Sequence, residues 1–311
     1  MSAHFKKMFL FAPFLLVGRL LNAAPAVTAN PTATPEEPVL TKPVPTPAKA
    51  PESNDRLRVH FINVGHGDSC LIQTPGGHAI LIDAGYKGVA DDVVDYVKKA
   101  GVKELDLVIA THPHADHVGG LTKVISSIPV KMVLDSGKAH TSRTYQRFLE
   151  AVKARPKIKY ALGRAGQVYR YDDVTLSILG PTDPLPRKIN DCSIVGRLVY
   201  GNVSFMLTGD AEAKAEKAIM RRHSGIRSTV LKVGHHGSKT STTPTFLRAV
   251  MPRVAIISCG TKASGNDPDA EAKLRRRGVK VYRTDVDGTI IVDSDGKDYT
   301  VTTLGQSRVR P

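Results

Sequence analysis

Thr111-His112-Pro113-His114-Ala115-Asp116-His117 places three imidazoles and a carboxylate within six consecutive positions, directly behind the apolar run Leu105-Asp106-Leu107-Val108-Ile109-Ala110. Imidazole and carboxylate hold zinc, manganese or iron at neutral pH, and the stretch contains no thiolate, which argues against a closed structural zinc site. In an extended segment His112 and His114 point the same way and can share one ion. If a helix begins near Asp116, then Asp116 and His117 splay away from that pair toward a second position, so two metals are expected. A histidine-rich solvated loop is the plain alternative. Against it, three of the chain's 11 histidines fall here, between an apolar strand and Gly119-Gly120.

Around this turn the hydrophobic periodicity reads as alternating strands and helices. Strands are expected at Leu57 to Val64, Ser69 to Thr74, Ala79 to Asp83, Leu105 to Ala110 and Val130 to Leu134. Helices are expected at Asp91 to Ala100, stopped by Gly101, at His117 to Ser127 and at Thr144 to Ala154. The second half repeats the alternation, with strands at Val174 to Leu179, Ser193 to Tyr200, Val203 to Thr208, Thr229 to Val233, Val254 to Ser258, Val279 to Tyr282 and Thr289 to Val292. Its helices are expected at Ala211 to Arg222, Thr243 to Val250 and Ala270 to Arg277. Two sheets flanked by helices make an α/β layered fold.

The two ends differ from this body. Lys6 and Lys7 precede the apolar stretch Met8 to Gly18, and Ala24-Pro25-Ala26 offers small residues for a peptidase, so residues 1–26 read as a signal peptide, with a retained membrane anchor as the alternative. Export to the periplasm or the outside of the cell follows. Residues 27–55, with prolines spaced along them, read as an extended linker that cannot bury enough apolar area to order itself. Residues 56–311 form the remaining domain. Cys70, Cys192 and Cys259 are too few for a disulfide framework.

A formal net charge of +15 suits a polyanionic partner, with Arg143 and Arg147, Arg221-Arg222-His223 and Arg275-Arg276-Arg277 as candidate contact faces. The absence of Trp argues against an extended base-stacking platform.

His112-Pro113-His114-Ala115-Asp116-His117 resembles the H-x-H-x-D-H signature of the metallo-β-lactamase fold. Asn63-Val64-Gly65-His66-Gly67-Asp68-Ser69, Ile82-Asp83-Ala84-Gly85, Leu207-Thr208-Gly209-Asp210, Lys232-Val233-Gly234-His235-His236-Gly237-Ser238 and Tyr282-Arg283-Thr284-Asp285 narrow the resemblance to the hydrolase domain of the ComEC/Rec2 DNA-uptake proteins. The resemblance implies an αβ/βα four-layer sandwich with the metal ligands on loops at one end of the sheets. It implies two divalent ions, zinc or manganese, the first held by His112, His114 and Asp210, the second by Asp116, His117, Asp210 and His236.

Asp210 could otherwise be a simple helix N-cap, and the roles of His235 and His236 could be exchanged, because adjacent side chains diverge and only one is expected at the ion. With His236 as ligand, His235 is left to contact a phosphate oxygen or protonate a leaving group; Asp116 and His235 are the residues expected to act in catalysis. Asp83 is expected either to form a turn or to orient a ligating histidine. Asp68 and Ser69 are expected to line the site, and Ser238, Ser241 and Thr242 either to receive a phosphate or to cap a helix. Two departures from the family stand out. Ile189-Asn190-Asp191-Cys192-Ser193 has no histidine where many relatives carry one, leaving Asn190 or water to complete the first ion, and Asp267 stands where relatives commonly have His.

The expected activity is an exported phosphodiesterase, foremost a nuclease acting on DNA, in which two ions activate water and stabilise the charge on phosphorus. The alternatives are a small-molecule phosphodiesterase acting on phosphocholine-like esters, a β-lactamase, and a non-enzymatic polyanion-binding protein. No obligate protein partner is evident, and membrane contact is expected only through a retained N-terminal segment.

Overall fold

Strict alternation along the strands divides their side chains between two environments, and the layers follow from that division. The computed structural model describes residues 56–260 and 269–305. The expected signal segment, the linker and Asp267 lie outside them.

The first half runs β1 (Leu57–Phe61), β2 (Cys70–Gln73), β3 (Ala79–Ile82), α1 (Ala90–Lys99), β4 (Leu107–Ala110), α2 (Ala115–Val118), α3 (Leu121–Ser127), β5 (Met132–Asp135), α4 (Arg143–Lys153) and β6 (Lys159–Leu162). The second half runs β7 (Val168–Tyr171), β8 (Val174–Gly180), β9 (Val195–Tyr200), β10 (Val203–Leu207), α5 (Ala213–Arg222), β11 (Val230–Lys232), α6 (Pro244–Val250), β12 (Val254–Ile257), α7 (Ala270–Arg275), β13 (Lys280–Arg283), α8 (Thr284–Asp287), β14 (Ile290–Ser294) and β15 (Tyr299–Thr303). One sheet has the order β15-β14-β1-β2-β3-β4-β5-β6, the other β13-β12-β11-β10-β9-β8-β7.

In β4, Leu107 and Ile109 enter the apolar cluster between the sheets, where Phe205 and Leu207 of β10 meet them. Val108 and Ala110 face the other way, onto Val93, Val97, Val124 and Phe148 of α1, α3 and α4. Met206 and Leu231 of the second sheet likewise face Ile219, Phe246 and Leu274 of α5, α6 and α7. The result is the four-layer α/β sandwich that the family resemblance implies. Each buried Leu, Ile or Phe contributes roughly 1.5–3 kcal/mol.

Parallel pairing places the site. Strands β3 to β6 are mutually parallel, as are β10 to β13. The histidine turn follows β4, Asp83 follows β3, Asp210 follows β10 and His235-His236 follow β11. All four leave the carboxyl ends of parallel strands, where loops can converge on one crevice.

Several expected elements differ in detail. The helix expected from His117 to Ser127 is two, α2 and α3, because the Gly120 N–H donates to the Gly85 carbonyl at 3.0 Å instead of continuing the helical ladder. A Cβ at Gly120 would overlap the Ala84 carbonyl oxygen, so the close approach needs glycine. The helix expected from Ala211 starts at Ala213 with Glu212 at its N-cap, and the one expected to reach Arg277 ends at Arg275. Strands β6, β7 and β15 are additions to the expected set. All three lie at sheet edges and carry many exposed or half-exposed residues, so their sequences lack the apolar alternation that marks a buried strand. The three cysteines are buried and free.

Candidate metal centre

The short α2 begins immediately after His114, whose extended backbone (φ −68°, ψ 147°) serves as its N-cap. That change from strand-like to helical backbone sends His112 and His114 one way and Asp116 and His117 another. His112 Nε2 lies 3.0 Å from His114 Nδ1 and 3.7 Å from Asp210 Oδ2. His117 Nε2 lies 3.2 Å from Asp210 Oδ2, and His236 Nε2 lies 3.4 Å from Asp210 Oδ1 and 3.3 Å from Asp116 Oδ2.

Two groups of donor atoms therefore share Asp210: His112, His114 and Asp210 in one, Asp116, His117, Asp210 and His236 in the other. Ligand atoms about 2.1 Å from a common ion stand roughly 3.4 Å apart, which is the spacing found here. A divalent cation also answers a local deficit. His117 Nε2, His236 Nε2 and Asp210 Oδ1 are buried without hydrogen-bond partners, a costly state unless a cation is coordinated there. The donor set thus fits two cations.

Neighbouring groups fix which nitrogen each ring presents. Asp83 Oδ2 accepts from His117 Nδ1 at 2.7 Å, while its carboxylate also accepts from the Thr111 N–H at 2.9 Å and the Thr111 hydroxyl at 2.6 Å. The ring is thereby turned so that Nε2 faces Asp210. His236 Nδ1 donates to the Ser258 carbonyl at 2.9 Å and lies 3.4 Å from Asp68 Oδ1. Asp68 is in turn paired with the buried Lys232, whose Nζ lies 3.0 Å away. Ser193 Oγ accepts from the Asp210 N–H at 3.1 Å and lies 3.3 Å from His112 Nδ1. Asp83→Ala is expected to lower metal affinity roughly 10- to 100-fold by freeing the His117 ring. Competition titration against a chromophoric chelator checks this, and affinity equal to wild type would reduce Asp83 to a turn residue.

Charge in the cluster is strongly coupled. Burial opposes charge on His117, yet Asp210 and Asp83 outweigh it and hold its pKa well above the ordinary value. His236 behaves alike, burial being outweighed by Asp210, Asp116 and Asp68. Burial would raise the Asp210 carboxyl, but His117 and His236 hold it well below the usual range. Burial is the main reason His112 falls well below, leaving a neutral ring ready to coordinate. In the metal-free chain protons thus occupy part of the place that cations would take.

The adjacent histidines separate. His236 is buried among Asp116, Asp210 and Asp68, whereas His235 is half-buried, with Nδ1 3.2 Å from the Thr240 hydroxyl and 3.5 Å from Glu212 Oε1, and Nε2 3.9 Å from Asp210 Oδ2. Both have left-handed backbones, φ 46° and 52°, a conformation that costs a non-glycine residue about 1–2 kcal/mol and recurs at functional turns. Asp210 is not the cap of α5, since Glu212 stands between it and the helix.

Asn190 is buried; its Nδ2 faces His235 and Glu212 at 3.3 Å, and its Oδ1 has no hydrogen-bond partner. Ser238 is half-buried, 3.1 Å from the Thr240 hydroxyl and outside the donor groups. The Ser241 hydroxyl donates to the Gly234 carbonyl and Thr242 Oγ1 accepts from the Gly234 N–H, so both brace the loop; the cap of α6 is Thr243.

Sequence reasoning assigns no role to His66. Its Nε2 lies 3.6 Å from Asp116 Oδ2, its ring packs 4.5 Å from that of His236, and its Nδ1 is buried without a partner. The exposed Tyr86 ring lies 6.4 Å beyond it. Gly67 permits this arrangement at φ 128°, because a Cβ there would overlap the Asp116 carbonyl oxygen. A histidine in the same glycine-bounded turn as Asp68 is the signal that could have found it.

Residues 62–261 match the Metallo-beta-lactamase superfamily. The chain is 31% identical over 252 residues to "ComE operon protein 3" of Bacillus subtilis, covering 75% of this chain and 32% of that protein. It is 31% identical over 248 residues to "Recombination protein 2" of Haemophilus influenzae, covering 78% of this chain and 29% of that protein. The aligned region thus spans about a third of these curated relatives. Among solved structures, a variant of the CmlA β-hydroxylase is similar in fold, with a TM-score of 0.50 at 13% identity, covering 78% of this chain and 54% of that one.

Proposed function

The chain belongs to the metallo-beta-lactamase superfamily, and from that premise we propose that it is an exported dinuclear phosphodiesterase that cleaves nucleic acid, DNA foremost, with zinc or manganese as its metal. The observation that carries the reading is the shared Asp210, which joins two donor groups beneath the half-buried His235. The name of one relative supports a nucleic-acid substrate, since "Recombination protein 2" denotes a process carried out on DNA. A net charge of +15 agrees with a polyanion.

Two divalent cations, one held by His112, His114 and Asp210 and the other by Asp116, His117, Asp210 and His236, would supply Lewis acidity toward a phosphoryl oxygen and make water more acidic. The chain's own groups do the rest. Asp116, at the mouth of the site, holds one donor position and accepts a hydrogen bond from the attacking water. His235, steadied by Thr240 and Glu212, presents Nε2 to the departing oxygen and delivers a proton there. Asn190 packs against that ring and restricts its orientation.

Metal analysis of the full chain, followed by parallel assay on single-stranded DNA, a chromogenic phosphodiester and a cephalosporin, tests the reading. Cleavage of the phosphodiesters without cephalosporin turnover is expected; the reverse pattern overturns it. His235→Ala is expected to lose roughly 10²- to 10⁴-fold in rate with both metals retained. His236→Ala should lose the second metal. Metal stoichiometry of the pair decides between this assignment and its exchange.

A further inference from the structure

The loop after His236 and the helix α7 enclose a cavity of about 310 Å³ that none of the donor groups enters. Gly237 and Ser238, the two residues following His236, are part of its lining, so the cavity and the donor groups share one loop. Val233, Leu247 and Leu274 contribute an apolar base. The charged lining that the argument uses is of one sign, Lys239, Arg276 and Arg277, with no carboxylate among the described lining residues. Cations set around an apolar-based cleft focus positive potential into it, and an anion is the complementary occupant.

The neighbouring arginine shows that this arrangement is selective. Arg275 turns away, its Nε 2.7 Å from Glu271 Oε1 and its Nη2 donating to the Val281 carbonyl at 3.1 Å. The basic run visible in the sequence is thus divided: Arg275 is engaged in an ion pair with Glu271 away from the cavity, while Arg276 and Arg277 line it, Arg277 with one N–H on the Pro244 carbonyl of the same lining.

We propose that this cavity is a subsite for a backbone phosphate of the nucleic-acid strand, one flanking the phosphate that is cleaved; the proposal rests on the phosphodiesterase reading. It makes the enzyme prefer a strand over a small phosphodiester, because only a strand carries a second phosphate to the cations while the first lies at the metals. Lys239 supplies a compact point charge, the Arg276 guanidinium can grip two phosphate oxygens, and Arg277, whose Nη1 donates to the Pro244 carbonyl at 3.4 Å, has its remaining N–H groups to add.

The full-length chain carrying Arg276→Gln, Arg277→Gln and Lys239→Gln is compared with wild type and with Arg275→Gln. The readouts are kcat/KM on a single-stranded oligonucleotide, kcat/KM on a chromogenic phosphodiester, and binding of a fluorescent oligonucleotide by the chelator-treated protein over a salt series. The triple variant is expected to lower the oligonucleotide-to-chromogen ratio about tenfold or more and to flatten the log K against log salt slope by roughly 0.7 for each phosphate no longer neutralised. Arg275→Gln should match wild type. Lys239→Gln alone, in a loop, should show a partial effect in the same direction, which keeps the test valid should the triple variant unfold.

A ratio and a slope equal to wild type, with phosphodiester cleavage intact, overturn the subsite and leave the proposed function standing. Wild-type protein that cleaves neither phosphodiester removes the proposed function, and the subsite with it.

Discussion

Asp210→Ala is expected to lower hydrolysis on the order of 10³-fold or more, the scale of losing a principal charge-stabilising group at a reaction centre, and to leave at most one metal per chain. The expectation comes from its position. Its two oxygens lie within 3.7 Å of nitrogens from His112, His117 and His236, which come from two loops and belong to two donor groups. No other residue is common to both of those groups. Asp210→Asn keeps the shape and one lone-pair face but loses the charge, so it should retain more metal than the alanine variant and less than wild type. Elemental analysis, turnover and a thermal melt on the same preparations separate loss of metal from loss of fold. An alanine variant with two metals and normal turnover would demote Asp210 to a brace for the loop after β10.

That prediction can be framed from sequence because the decisive features are local. The unbroken apolar run Leu107-Val108-Ile109-Ala110 marks a strand with both faces buried, and the change to helix after His114 divides the four donors behind it. The features that sequence does not reveal depend on groups brought together by folding. Nothing near Ser193 announces that its hydroxyl accepts from the Asp210 N–H, nor does the run before His235 reveal that Lys232 is buried against Asp68. The edge strands β6, β7 and β15 are hard to read because an edge has no second neighbour to demand apolar side chains.

Charge runs are legible as composition but not as surfaces. Arg275, Arg276 and Arg277 look equivalent in the chain, yet the ion pair with Glu271 separates the first from the other two. His66 illustrates the opposite failure. Its motif stands out in the chain, but the role of its ring depends on contact with Asp116 and His236, which are 50 and 170 residues away along the chain.

Stripping the metals with a chelator is expected to abolish turnover, to lower thermal stability, and to make both the stability and the re-binding depend on pH in a predictable direction. Ligand present at a thousandfold its dissociation constant stabilises the folded state by about 4 kcal/mol, so the melting temperature should fall on chelation and recover with zinc or manganese.

The sign of the pH effect follows from the cluster. In the stripped chain His117 and His236 have pKa values raised well above 6.5, mainly through Asp210 against the opposing effect of burial. Their contribution to stability is complete below about 6.5, the unfolded value, and is lost as pH rises through the raised folded value. Asp210, held well below 3.8, contributes above that unfolded value and loses its contribution as pH falls through the depressed one.

Metal takes the place of the histidine protons, so binding releases protons and affinity falls as pH falls, by up to about tenfold per pH unit for each proton displaced. The gap in melting temperature between loaded and stripped protein should therefore widen as pH rises above neutrality. Titration calorimetry in buffers of different ionisation enthalpy measures the released protons. Metal binding that releases none, or a gap that narrows with rising pH, would mean that His117 and His236 do not hold the cations.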